Sequence, residues 1–163
     1  MNTNGDLHLD ELDMAILSHL EGDGRKSFSD IAVELDVTVS TVSTRANRLI
    51  NDNVVTILGF LNPLRLGMIV SATLFITCQP GEIESVTELL TDFPEVSYMA
   101  LFTGDFDLFV EVSCRDFVHF SELLTNRIHP IQGIEKVRSS LHLQRLKLKQ
   151  PSLSLAIPRD RSK

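Results

Sequence analysis

Residues 68–148 contain an internal repeat, and it limits the possible folds more than any other feature of the chain. From Ile69 to Cys78 the residues alternate with the period of a strand. Val70, Ala72, Leu74, Ile76 and Cys78 make one apolar face, and Ser71, Thr73 and Thr77 mark the other. Pro80-Gly81 breaks this run. A helix is expected from about Glu82, with Ile83, Val86, Leu89, Leu90 and Phe93 inward and Pro94 as its stop, followed by a strand over Val96–Phe102. The pattern then returns: a strand over Asp107–Cys114, a helix from about Asp116 with Phe117, Phe120, Leu123, Leu124 and Ile128 inward, Pro130 as the stop, and a strand over Lys136–Arg145. Two β-α-β units joined by a hairpin form the split β-α-β, ferredoxin-like arrangement.

Helices cover only one face of such a sheet, so the other must be wet or packed on something else. Phe75, Met99, Leu101 and Phe109 fall among the Ser and Thr positions expected on the open face. An apolar patch of that size is uncommon on a monomer, so a homodimer through this domain is expected. The other Phe residues lie in apolar runs, where core packing accounts for them.

Upstream, three short helices are expected within about 45 residues. Asp10 can cap the first, whose apolar positions are Leu12, Ile16, Leu17 and Leu20, and Gly22-Asp23-Gly24 ends it. The second starts near Ser29 with Ile31, Ala32 and Leu35 inward. Thr38 caps the third, which carries a narrow apolar stripe of Val42, Ala46 and Leu49, while Ser40, Thr41, Ser43, Thr44, Arg45, Asn47 and Arg48 cover the rest. Asp36 and Asn53 stand at turns that require left-handed backbone, which both tolerate. A polar helix behind a short helix and a tight turn suits the DNA major groove: Thr38 to Thr44 toward base edges and phosphates, Arg45 and Arg48 on phosphate or guanine. Val54 to Leu61 is expected to be a connecting strand that ends at Asn62-Pro63.

The fold class is therefore α+β, a winged-type helix-turn-helix of three helices plus a strand joined to a ferredoxin-like βαββαβ domain. The expected boundaries are 1–53 for the first domain, 54–67 for the connector, 68–148 for the second domain and 149–163 for a solvated tail.

Charge qualifies the DNA reading. The net charge is −7 over 163 residues. Residues 1–60 hold ten acidic and four basic side chains, a balance of −6. Affinity must then come from a few positioned groups, helix N-termini and several copies of the module, not from a broad basic surface. Trp is absent and Tyr occurs once, which leaves little for stacking on single-stranded nucleic acid. The five histidines show no metal-ligand spacing with each other or with Cys78 and Cys114, no catalytic constellation emerges, and Gly22-Asp23-Gly24 lacks a phosphate-loop ending. The expectation is a protein that is not an enzyme and has no cofactor or metal. The two cysteines read as buried thiols, and no apolar run has the length of a membrane span, so a cytoplasmic protein is expected.

In this order, the pieces resemble the leucine-responsive and asparagine regulator (Lrp/AsnC) family of prokaryotic transcription factors. The residues that carry the resemblance are Leu9-Asp10, Asp13, Ile16-Leu17, Leu20 and Gly24-Arg25, then Thr41-Val42, Arg45, Arg48-Leu49, Leu61-Asn62-Pro63 and Gly104-Asp105-Phe106-Asp107. The resemblance spans Leu9 to Leu148 and implies a homodimer, or a tetramer, octamer or larger ring, that binds double-stranded DNA. It also implies a C-terminal domain that senses an amino acid. Thr103, Gly104, Asp105, Phe106 and Asp107 would line the effector cleft, with Ser139 a further candidate. By its residues alone the Gly104 hairpin is an ordinary β-turn. The alternative reading is an amino-acid-sensing or hetero-oligomerising module with weak or no DNA binding of its own. The third helix carries only two arginines where relatives often carry more basic residues.

Overall fold

The computed structural model describes residues 8–147 and 151–155. They form two compact units: residues 8–60 with 151–155, and residues 61–147.

The first unit contains α1 (Glu11–Gly22), α2 (Phe28–Glu34) and α3 (Val39–Asn51). Each begins on a side-chain cap. Asp10 accepts from the Asp13 amide while the Asp13 carboxylate takes the Asp10 amide, a reciprocal box. Ser27, two residues before the expected Ser29, caps α2 by accepting from the Asp30 amide. Thr38 caps α3. Asp36 (φ 52°) and Asn53 (φ 55°) are left-handed, as their turns require. Ile16, Leu17, Leu20, Ile31, Ala32, Val42, Ala46 and Leu49 fill the core, with Val54 and Val55 packed on its edge.

Two expectations are corrected here. The run from Val54 to Leu61 forms no ladder in the single chain, because a strand needs a partner for its backbone groups and none of the described residues supplies one. Its side chains Ile57, Leu58, Phe60 and Leu61 remain exposed. The tail, expected to be solvated, returns to this unit over its described part. Leu153–Leu155 make a short 3-10 turn, Leu153 packs against the helical core, and its amide donates to Glu21 Oε1 at 3.0 Å. Arg159 to Lys163 lie outside the described residues.

The second unit has β1 (Val70–Cys78), α4 (Ile83–Thr91), β2 (Val96–Leu101), β3 (Leu108–Cys114), α5 (Phe117–Glu122) and β4 (Ile134–Leu141). The sheet is antiparallel in the order β2-β3-β1-β4, the topology of two interleaved β-α-β units. The inward face of β1 meets Leu108, Val110, Val112 and Cys114, with Val86, Leu90, Phe120, Leu123 and Ile128 from the helices above. Gly133 is required where it stands. Its φ is 95°, and an added Cβ would lie 2.6 Å from Glu82 Cβ.

After α5 the chain widens into a π turn over Leu123–Ile128, with the His129 amide reaching Leu124 O at 2.9 Å. Arg127, in that turn, donates to the buried Glu95 at 2.6 Å, and His119 Nε2 contacts the same carboxylate at 3.0 Å.

Three assignments of facing are corrected. Leu89 and Phe117, expected inward, are 52% and 63% exposed, because the helices are short and their first and last turns overhang the sheet. A bulge between Val96 and Tyr98 shifts the β2 register by one residue. Since a one-residue slip reverses the side chains, Met99 pairs with Val110 and packs on the core and Tyr98 goes to the open face, while Leu101, at the strand end beside Leu108, stays 65% exposed. Strand β4 ends at Leu141 instead of reaching Arg145.

The open face is therefore more aromatic than expected. Phe75, Tyr98 and Phe109 project from its strands, and Phe102 and Phe106 join them from the hairpin, with neighbouring ring centroids 4.9–6.0 Å apart. Four of these are phenylalanines; Phe75 and Phe109 lie on the open face as expected, and Phe102 and Phe106 do not take the core role expected of them.

Candidate functional site

The α3 helix divides cleanly along its length. Val42, Ala46 and Leu49 are wholly buried, and on the opposite side Ser40, Thr44, Asn47 and Arg48 are exposed. Its first turn is tied down by hydroxyls: the Thr41 amide donates to Thr38 Oγ1 at 3.1 Å, and the two threonine hydroxyls lie 2.8 Å apart. One turn on, Asn47 Nδ2 approaches Ser43 Oγ at 3.4 Å. Among the described residues the hydroxyls of Ser40 and Thr44 make no side-chain hydrogen bond, so they face solvent with donor and acceptor capacity intact.

Within the single chain the two arginines are engaged by carboxylates. Arg45 Nη1 donates to Asp10 at 2.6 and 2.7 Å and to Asp13 at 3.0 Å, and Arg48 Nη2 donates to the second oxygen of Asp13. Asp13 is 1% exposed, so the hub of this cluster is a carboxylate buried between two guanidiniums. The hydrogen bond from Arg45, followed by that of the Asp13 amide, holds the Asp10 carboxyl at about 2, far below its usual range. In return the carboxylates raise the Arg45 pKa. Expected at phosphate or guanine, both arginines join α3 to the first turn of α1 in the single chain, with Arg45 30% and Arg48 45% exposed. The signal for this is present in the sequence: two aspartates three residues apart on α1 match two arginines three residues apart on α3, so each pair lies on one helix face.

In the second unit the hairpin from Thr103 to Asp107 joins β2 to β3. Thr103, Gly104 and Asp105 are exposed, and Gly104 has φ 125°, a conformation that L side chains rarely adopt. Phe106 turns back onto Phe75 at 4.9 Å. Asp107 is engaged within the chain. Its carbonyl accepts from the Phe102 amide at 2.7 Å, its amide donates to Ile76 O at 2.9 Å, and its carboxylate accepts from the Cys78 amide at 2.8 Å. Asp105 is the exposed acid of the loop. Ser139 of β4 pairs with Leu74 of β1, two strands away from the hairpin in the sheet order, and the single chain does not bring it to the loop.

Among the described residues no group of three His, Cys, Asp or Glu is arranged to hold a metal ion, and no helix is long and apolar enough to cross a membrane.

Comparison with known proteins gives the same two-part division. Residues 9–56 match the winged helix-turn-helix DNA-binding model, and residues 71–151 match the Lrp/AsnC ligand binding domain. The chain is similar to the HTH-type transcriptional regulator PH0140 of Pyrococcus horikoshii, with 33% identity over 136 residues, 83% of this chain and 86% of that one. It superposes on the leucine response regulatory protein of Mycobacterium tuberculosis with a TM-score of 0.80 at 25% identity, covering 89% of this chain and 99% of that one. The fold also matches a Neisseria meningitidis transcriptional regulator solved as a complex with L-Met, with a TM-score of 0.79 at 21% identity over 86% of this chain and 94% of that one.

Proposed function

The chain belongs to the Lrp/AsnC family of DNA-binding transcriptional regulators, and from that premise we propose that it reads operator DNA through the exposed face of α3. Ser40, Ser43, Thr44 and Asn47 would meet base edges, and Thr38 and Thr41 would bring the helix N-terminus to a phosphate. Arg45 and Arg48 act by holding that helix on α1. The observation that carries this reading is the division of α3, wholly buried at Val42, Ala46 and Leu49 and hydrogen-bonding on the other side.

Two copies of so weakly charged a module are needed for useful affinity. The aromatic patch of Phe75, Tyr98, Phe102, Phe106 and Phe109 supports a homodimer built face to face on the second unit, from which larger rings can grow. An amino-acid effector fits the exposed hairpin. Main-chain N–H groups at Thr103 to Asp105 suit a carboxylate, and Asp105 suits the ammonium, since Asp107 already serves the Cys78 amide. Ser139 could contribute only to a site completed by another copy. The work is binding, without a catalytic step, in the cytoplasm where the DNA is.

Affinity for a selected duplex, measured against salt, tests the central claim. The expected result is a clearly negative but shallow slope of log affinity against log salt, because few cations contact phosphate. A flat slope with no specific duplex would instead favour a sensing module without its own DNA binding. A thermal-shift screen of the amino acids tests the hairpin. An effector at a hundred times its Kd stabilises the folded protein by about 2.7 kcal/mol, and no shift with any of them removes the effector assignment.

A further inference from the structure

One exposed apolar side chain on α3 has no part in the packing of the helical core. Val39, the first residue of the helix, is 48% exposed. The helical core is complete without it: Val42, Ala46 and Leu49 supply the buried stripe of α3, and Leu35, Val37, Val54 and Val55 seal the edges. A β-branched residue is not favoured by helix propensity on a surface, and the first turn is already capped by Thr38. Val39 is also placed along the polar face. With Ser43 and Asn47 it follows the i, i+4, i+8 row, and Ser40 is next to it.

With both arginines held by Asp10 and Asp13, the groups that α3 can turn to DNA are hydroxyls, carboxamides and this isopropyl group. The bases offer an apolar side chain in the major groove only one counterpart, the C5-methyl of thymine. We propose that Val39 is a specificity-determining residue that packs on a thymine methyl in each half-site. This rests on the reading of α3 as the DNA-contacting helix. It adds a preference of its own, for thymine over cytosine at the base beneath the first turn, enforced by shape and burial and independent of charge.

The experiment starts from duplexes selected by the wild-type protein from a random pool, in which thymines are replaced by uracil one position at a time. Uracil keeps every hydrogen bond and lacks only the methyl. Removing one buried methyl from each contact should weaken wild-type binding by about fourfold per half-site at one position. Val39→Ser should bind thymine and uracil duplexes equally at that position and melt at the wild-type temperature. Equal wild-type affinity for uracil at every position, or an undiminished thymine preference in Val39→Ser, overturns the assignment and leaves DNA reading by α3 standing. If no duplex is selected at all, DNA reading by α3 falls, and the role of Val39 with it.

Discussion

Replacing Asp13 with Ala removes the hub of the clamp, and the structure sets the size of the effect. The Asp13 carboxylate, 1% exposed, accepts three hydrogen bonds: from the Asp10 amide at 3.2 Å, from Arg45 at 3.0 Å and from Arg48. A neutral bond contributes roughly 1 kcal/mol and a charged one about 1.5–3 kcal/mol. The two guanidiniums left behind are 30% and 45% exposed and recover part of this from water, while Arg45 keeps Asp10. The net loss should be about 3 kcal/mol, the low end for breaking a buried pair by removing one partner. For a domain of this size that lowers Tm by roughly 10–20 °C. Thermal unfolding followed by circular dichroism in the helical band reads it, with the second unit's transition as an internal control. A transition of the helical unit within about 5 °C of wild type would refute the clamp. The companion variant Arg45→Ala separates positioning from contact. It should destabilise the helical unit and leave the salt slope of the remaining folded protein unchanged. A slope shallower by roughly one unit would show that Arg45 meets phosphate after all.

Acid should loosen the same clamp. The Asp10 carboxyl, at about 2 when folded, lies below its ordinary value of 3.8, so its contribution is present above pH 4 and is lost as the pH falls from about 4 toward 2. Asp10→Asn keeps the helix cap and should flatten that part of the stability profile measured by denaturant titration. Phe109→Glu puts a charge at the centre of the aromatic face and should convert the proposed dimer to monomer in sedimentation at micromolar concentration, with the fold retained; a variant that still sediments as a dimer would move the interface elsewhere. The two thiols are buried, and burial pushes Cys114 up to about 11 and raises Cys78 as well, so neither should react with a disulfide reagent at pH 8 until the second unit unfolds; rapid labelling of the native protein would contradict the packing.

Most of the local chemistry was legible in the sequence, the α2 cap at Ser27 where Ser29 was expected being an exception. The caps at Asp10 and Thr38, the left-handed turns at Asp36 and Asn53, the alternation of β1 and the repeat that makes the sheet all depend on residues within a turn or two of each other. What else sequence reading misplaced depended on register or on distance. A single bulge after Val96 exchanged the faces of Tyr98 and Met99, because a strand's side-chain period is two and one extra residue inverts it. The return of Leu153 to the helical core joins segments 132 residues apart at Glu21, a contact for which no local pattern codes.

The candidate site divides in the same way. The amino-acid sequence by itself determined that α3 would be a capped helix with a narrow apolar stripe and a hydroxyl-rich face, since propensity, capping and periodicity are written into consecutive residues. Only the tertiary structure decided what its arginines do. A guanidinium takes whichever anion the fold brings within reach, and here the partners are carboxylates 32 to 35 residues away on α1. With its cations so occupied, the exposed face of α3 presents mainly uncharged groups.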